Sequence, residues 1–446
     1  AYVDELMVLL RQPSISTRDE GGQECAEMLA EHMRSLGIRT MIYPTERHPV
    51  VFGEIGPEDA EEVLLVYGHY DVQPPEPLDQ WKSPPFEPVI RDGKIYGRGT
   101  SDNKGQLFAH LKGLETYMKV AGDPPIKIKY LFEGEEEIGS PNLRPFVLKH
   151  KDLCRASAAI FSDSHYHESG RPSLILGLKG MLYMEIKVKE LASDFHSMKA
   201  AALPSAPWRL VTLLSTLKGE DGIVKVEGFY DNVRPPLSEE IEAVDSIPCD
   251  SNALLSAHGA RQLLENRFGQ RYYHNMVFEP TLNISGLLSG YTGKGSKTVL
   301  PAVASVKLDI RLVPDQEPEE IYEKIMRHLE KHGFGDVEVY HESGFIPSRT
   351  PITNKYVGVA REAVTKVWGT EPIIYPGIGG AGPNYIFTRD LGIPCIVIPF
   401  AASDQANHAP NESLVLEGFE KGIMTSAAVI HTMGRLVHSR EGSSDG

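Results

Sequence analysis

The sequence predicts an α/β protein, a mostly parallel sheet flanked by helices, with a smaller α+β domain inserted into it. Three observations predict this. Short apolar runs at 63–66, 126–132, 158–161 and 393–400 alternate with helical stretches, the pattern of buried strands joined by crossovers. From about residue 178 the runs alternate apolar and polar residues instead, as in MLYMEIKV (181–188), which suits a sheet with one wet face. After about 349 the first pattern returns. The chain therefore divides into 1–177, 178–348 and 349–446, with the outer segments forming one domain around the inserted one. A length of 446 residues fits two cores better than one.

Residues 1–36 have helical periodicity broken at RQPSIST (11–17), and Leu29, Met33 and Leu36 share one face. Strands follow at 40–43 and 50–54, then the run Val63-Leu64-Leu65-Val66 leading into YGHYDVQPPE (67–76). The proline-rich stretch 74–88 must be a long loop. A glycine-rich segment, GKIYGRGTSDNKG (93–105), precedes a helix at 106–120 with Leu107, Leu111, Leu114 and Met118 on one face. The strand at 126–132 runs into EGEEEIGS (133–140), and the strand at 158–161 ends in SDSHYH (162–167).

In the insert, a helix is expected near 206–217, and 218–277 has no clear periodicity. TLNISGLL (281–288) and SVKLDIRL (305–312) read as alternating strands. The helix at 317–332 is acidic at its start and basic at its end, matching the helix dipole. Beyond it come a helix at 353–368, the loop YPGIGGAGP (375–383), a helix to about 390, the strand IPCIVIPF (393–400), the loop AASDQANHAPNE (401–412) and a terminal helix over 414–437. The tail 439–446 is expected to lack order.

A formal net charge of −16 argues against a nucleic-acid partner. No apolar run approaches a membrane span, and AYVDELMVLL reads as an amphipathic helix rather than a signal peptide. Cys25, Cys154, Cys249 and Cys395 show no CxxC spacing, so reduced cysteines and a cytoplasmic location are expected.

The chemistry-bearing residues gather after the strands, where ligands of such sheets bind. They are His69 with Asp71, Asp102, Glu136 with Glu137, Asp163, and His408. Each has a plainer explanation alone. The glutamates could form a solvated turn, His408 a surface histidine, and His69 a strand-end histidine bonded to its neighbour, while His165 and His167 are either ligands or loop residues. Occurring together at consecutive strand ends, two histidines and three carboxylates match two divalent ions that share one carboxylate. Nitrogen and oxygen donors without thiolates suit zinc, and also cobalt or manganese.

GHYDVQP, GRGTSDNKG, EGEEEIGS, the Asp of FSDS and the late NHAPNE resemble, in this order over nearly the whole chain, the co-catalytic zinc exopeptidase family. That family includes carnosinase-type dipeptidases, glutamate carboxypeptidase, aminoacylase, acetylornithine deacetylase and succinyl-diaminopimelate desuccinylase. QWKSPPFEPVIRDGKIYGRGTSDNKG is especially similar to the carnosinase branch. The resemblance implies that His69 and Asp163 are terminal ligands of one metal and Glu137 and His408 those of the other. Asp102 bridges the two, with a cis peptide to Asn103. Asp71 orients His69, and Glu136 is the general base.

The insert resembles the family's lid and dimerisation domain. His196 in DFHS matches a histidine that in dimeric relatives reaches the partner's active site, although MKAAALP replaces the glycines usual beyond it. Arg311 and Thr298 match substrate-carboxylate positions, and Gly379 and Gly380 a loop that wraps the substrate terminus. Ala381 stands where relatives often carry serine, and a lid histidine of the carnosinase branch has no counterpart around 348–355. The implied activity is metal-dependent hydrolysis of an amide next to a free carboxylate, as a dipeptidase or carboxypeptidase acting as a homodimer. The alternatives are an N-acyl amino acid deacylase or desuccinylase, and an inactive relative serving in binding or assembly, against which the intact ligand set argues.

Overall fold

A computed structural model of the chain describes residues 1–441. It divides into two compact units, one of residues 1–177, 349–376 and 383–446, the other of 178–348 and 377–382. The first is built on an eight-stranded sheet in the order Arg39–Tyr43, Val50–Ile55, Lys127–Glu133, Val63–His69, Ala158–Phe161, Cys395–Val397, Ser173–Ile175, Ile373–Tyr375. Val63–His69 runs parallel to both its neighbours, and Cys395–Val397 runs parallel to Ala158–Phe161. Four consecutive strands thus end at one edge of the sheet, in a register that sets His69 opposite Glu133 and aligns Phe161 with both Tyr67 and Val397.

These central strands are continuous apolar runs because both faces are covered. Helices Tyr2–Arg11, Gly22–Ser35, Lys104–Ala121, Lys355–Trp368 and Leu416–Glu441 pack with one face, where Leu107, Leu111, Leu114, Val66, Ile128, Ile160, Ile396 and Phe419 share one core, and on the other face buried Tyr67 meets Phe161 and Phe387. The final helix extends into the tail expected to lack order, whose remaining residues, 442–446, lie outside those described.

The second unit is a four-stranded antiparallel sheet in the order Thr281–Ser289, Val303–Leu312, Gly180–Lys189, Glu338–Phe345. Gly180–Lys189 buries every second residue, as its alternation requires. Leu182, Met184, Ile186 and Val188 pack with helices Ala206–Leu217 and Pro318–Lys331 in a separate core. The segment 218–277, without periodicity in sequence, holds three short helices, Ser238–Asp245, Ser251–His258 and Tyr272–Phe278. At seven or eight residues each they span about two turns, too little for a hydrophobic period to register. Local side chains fix the starts of the first two. The Asp250 carboxylate accepts the N–H groups of Asn252 and Ala253 at 2.9 and 3.1 Å, and Glu240 accepts that of Leu237 at 2.9 Å.

The glycine-rich loop 377–382, which sequence places with 349–446, packs in the second unit. Lys179 N–H donates to the Gly380 carbonyl at 2.8 Å, Ile378 bridges to Leu178, and Met276 lies against Gly379. Among the described residues no helix is long and apolar enough to cross a membrane.

Candidate metal centre

The strand edge brings the first group together. His69, the last residue of its strand, is fully buried. Its Nδ1 lies 3.2 Å from the Asp71 carbonyl and 3.3 Å from Asp71 Oδ1. With Nδ1 engaged, Nε2 faces Asp102 Oδ1 at 3.2 Å and Asp163 Oδ2 at 3.7 Å and has no hydrogen-bond partner. Asp71 serves a second element as well, since its two oxygens accept the N–H groups of Glu136 at 3.2 Å and Glu137 at 3.0 Å. One buried carboxylate therefore orients the imidazole and holds the acidic turn beside it.

Asp102 stands at the N-terminal approach to helix Lys104–Ala121, and its peptide to Asn103 is cis. Its Oδ2 lies 2.9 Å from His408 Nε2, which is 3.1 Å from Glu137 Oε2. His69, Asp102 and Asp163 thus form one triad of donor atoms within 4.8 Å of one another, and Asp102, Glu137 and His408 form another. Asp102 belongs to both.

His165 and His167 belong to neither triad. Exposed His165 turns Nδ1 to the Tyr166 carbonyl at 2.9 Å, and His167 turns Nδ1 to Ser169 Oγ at 2.8 Å. Gln73 was not singled out from sequence, yet its Nε2 donates to Glu137 Oε2 at 2.9 Å. The only signal for it was membership of the same strand-end stretch.

The donor set fits a pair of divalent cations. It is all nitrogen and carboxylate oxygen, and both His69 Nε2 and Glu137 Oε1 are buried polar atoms without partners, a costly arrangement that a cation would relieve. Electrostatics agree. Burial alone would raise the Asp102 carboxyl, but the neighbouring imidazoles of His408 and His69 hold it well below the usual range. Hydrogen bonds to Asp102 and Glu137 push His408 up to about 10. Burial works against charge on His69, but Asp102, Asp163 and Asp71 raise it well above an ordinary histidine. Burial raises Glu137, and it raises Glu136 strongly, the latter against the pull of His69 and with the help of Asp163, Glu137 and Asp102.

The raised His69 and His408 favour the protonated imidazoles in the metal-free chain, and those protons must leave before a cation can bind. Loading should release on the order of two protons per subunit, and affinity should fall as pH falls. Calorimetric titration of metal in buffers of different ionisation enthalpy measures the number, and heats independent of buffer would contradict it.

In the second unit, His196 ends the short strand Phe195–His196. Its Nδ1 accepts the Met198 N–H at 3.0 Å, and its Nε2 lies 3.3 Å from Thr298 Oγ1, so these two predicted residues are neighbours. Arg311 is half-buried on Val303–Leu312, its Nε donating to Asp309 Oδ1 at 3.0 Å. Gly379 and Gly380 lie on the loop held by Lys179.

Comparison with known proteins agrees in fold and sequence. Over 462 aligned residues the chain is 28% identical to the Cys-Gly metallodipeptidase DUG1 of Candida albicans, covering 97% of this chain and 95% of that one. The crystal structure of the M20 family metallo-carboxypeptidase Sso-CP2 from Sulfolobus solfataricus superposes with a TM-score of 0.91 at 36% identity, over 97% of this chain and 99% of that one. Human carnosine dipeptidase 1 superposes with a TM-score of 0.79 at 27% identity, over 97% of each chain. The profile of peptidase family M20/M25/M40 matches residues 65–432, a span that runs from the strand bearing His69 past the loop bearing His408. The chain belongs to peptidase family M20/M25/M40 and is a metal-dependent hydrolase.

Proposed function

We propose that the protein is a peptidase that uses two metal ions to hydrolyse the amide bond next to a free carboxylate, as a dipeptidase or carboxypeptidase. The observation that carries this reading is the pair of donor triads sharing Asp102. Relatives named as a Cys-Gly metallodipeptidase and a metallo-carboxypeptidase support the substrate class. His69 and Asp163 would hold one ion, Glu137 and His408 the other, and Asp102 both. Zinc is the proposed metal, and manganese or cobalt would suit the same donors. When bound, the ions make a water more acidic and polarise the scissile carbonyl.

The chain's own groups do the rest. Glu136 accepts the proton of the attacking water on its carboxylate and returns it to the leaving amine nitrogen. Asp71 holds the backbone on which Glu136 is mounted. At His196 the Met198 N–H occupies Nδ1, so the neutral ring carries its proton on Nε2 and can donate it to the oxyanion of the tetrahedral intermediate. Arg311, oriented by Asp309, and Thr298 take the substrate carboxylate, with Gly379 and Gly380 along the substrate terminus.

A homodimer is part of the proposal, with the partner subunit's His196 completing each site. The second unit offers apolar surface for the contact. Its edge strand Thr281–Ser289 exposes Ile284, Leu287 and Leu288, and helix Ala206–Leu217 exposes Trp208 and Val211. Four unpaired cysteines suit a reducing compartment such as the cytoplasm.

His196→Ala should lower kcat by about a hundredfold or more, with a smaller change in KM. Mixing it with Glu136→Ala and allowing subunits to exchange should restore activity, because each heterodimer then holds one site with both groups. Heterodimers that form and stay inactive would refute the shared site. The reaction itself is tested by whether restoring metal to the chelated protein restores amino-acid release from dipeptides.

A further inference from the structure

We propose that Glu412 is a positioning residue that locks together the two loops carrying Asp102 and His408, and that the ion held by Glu137 and His408, the second, depends on it more than the ion held by His69 and Asp163, the first. This rests on the two-ion reading above. Glu412 is fully buried, four residues beyond His408. Its Oε1 accepts the Ser101 N–H at 2.8 Å, the Ser101 hydroxyl at 3.0 Å and the N–H of Asp102 itself at 3.0 Å. Its Oε2 accepts Arg98 Nη1 at 2.8 Å and the Gly99 N–H at 2.9 Å, and its carbonyl accepts the Gly97 N–H at 3.0 Å. Arg98, almost fully buried, neutralises the charge, so the pair is a hydrogen-bonded ion pair inside the protein.

The 401–412 loop has reason to need this anchor. Ala406, His408 and Asn411 all adopt left-handed backbone conformations, at φ 55°, 55° and 65°, which non-glycine residues seldom take without outside support. Asn411 ties one point of the loop, accepting the Lys82 N–H at 2.8 Å and donating to the Gln80 carbonyl at 2.9 Å. Glu412 ties the loop to the backbone of Asp102. Two of the three ligands assigned to the second ion, Asp102 and His408, ride on the loops that Glu412 joins. Of the first ion's ligands only Asp102 does, because His69 and Asp163 stand at or just beyond the ends of adjacent sheet strands.

Glu412→Gln keeps the side chain's shape but replaces one acceptor oxygen with an NH2 group, and every contact of either oxygen is a donor. Repulsion at one end of the clamp is the consequence. The test is titration of metal-free wild type and Glu412→Gln with Co2+ against a competing chelator, following heat and the visible absorption of the bound ion. Wild type should take up two ions. In the variant the first should bind within about threefold of wild type and the second about tenfold or more weaker. The absorption of the second step should change, and kcat should fall more than KM rises.

Two ions bound with wild-type affinity would overturn the proposal. So would equal weakening of both steps in a folded variant, the signature of a merely structural residue. If Glu412→Gln does not fold, Ser101→Ala removes one hydrogen bond and decides the matter. Selective weakening of the second step by about two- to fivefold supports the clamp, and no change refutes it. Wild type that takes up fewer than two ions would instead refute the two-ion reading.

Discussion

Glu136→Gln is expected to lower kcat by about a thousandfold while both ions stay bound, within the range that general acid–base groups contribute. The variant removes only the proton acceptor. The backbone N–H of residue 136 would still bond to Asp71 Oδ1, and Glu137 next to it would keep its bond from Gln73. The pH profile carries a second signature. In the metal-free chain burial, with Asp163, Glu137 and Asp102, raises the Glu136 carboxyl above the ordinary range. Bound cations oppose that rise. Below its pKa the carboxyl is protonated and accepts nothing, so the rate of wild type should fall on the acid side and the Gln variant should lose that limb. A variant that keeps wild-type kcat, or loses its metal, would reject Glu136 as the base.

Asp102→Asn should have the other large effect, loss of the second ion and weakened binding of the first, with activity at background. Asp102 is the one residue in both triads, its Oδ1 toward His69 and its Oδ2 toward His408. Asparagine keeps a single acceptor oxygen and no charge, so it can serve only one side. The two histidines would also lose the carboxylate that helps hold them charged in the metal-free protein. Metal analysis after gel filtration reads the result directly. Two ions retained per subunit would show that Asp102 is not the shared ligand.

The parts of the molecule that were legible in sequence are those whose physics is periodic or local. Runs such as 63–66 and 158–161 are apolar throughout because both faces of the central sheet are covered, and each carries its polar residues immediately beyond its end. The candidate ligands could therefore be collected before any geometry was known. Their pairing came from the family resemblance, and the parallel register explains why such residues converge. Long-range hydrogen bonding left no such mark. Glu412 meets the Asp102 loop across more than three hundred residues, and Gln73 meets Glu137 across 64. In the second unit, Glu338–Phe345 is a strand of mostly polar residues, so pairing with Gly180–Lys189 defines it where composition does not. The loop 377–382 joins that unit through backbone contacts to Leu178 and Lys179, which no residue pattern announces.

On the proposed function, metal held by these residues lets the chain cleave an amide beside a free carboxylate. That function is tested most directly by chelating the protein, restoring zinc, cobalt or manganese singly, and following amino-acid release from dipeptides beside N-acetyl and N-succinyl amino acids. The expected result is no turnover without metal and dipeptide turnover on its return, at a stoichiometry of two ions per subunit. Hydrolysis that persists in the metal-free protein, or two ions bound without release of any amino acid from the dipeptides, would contradict it.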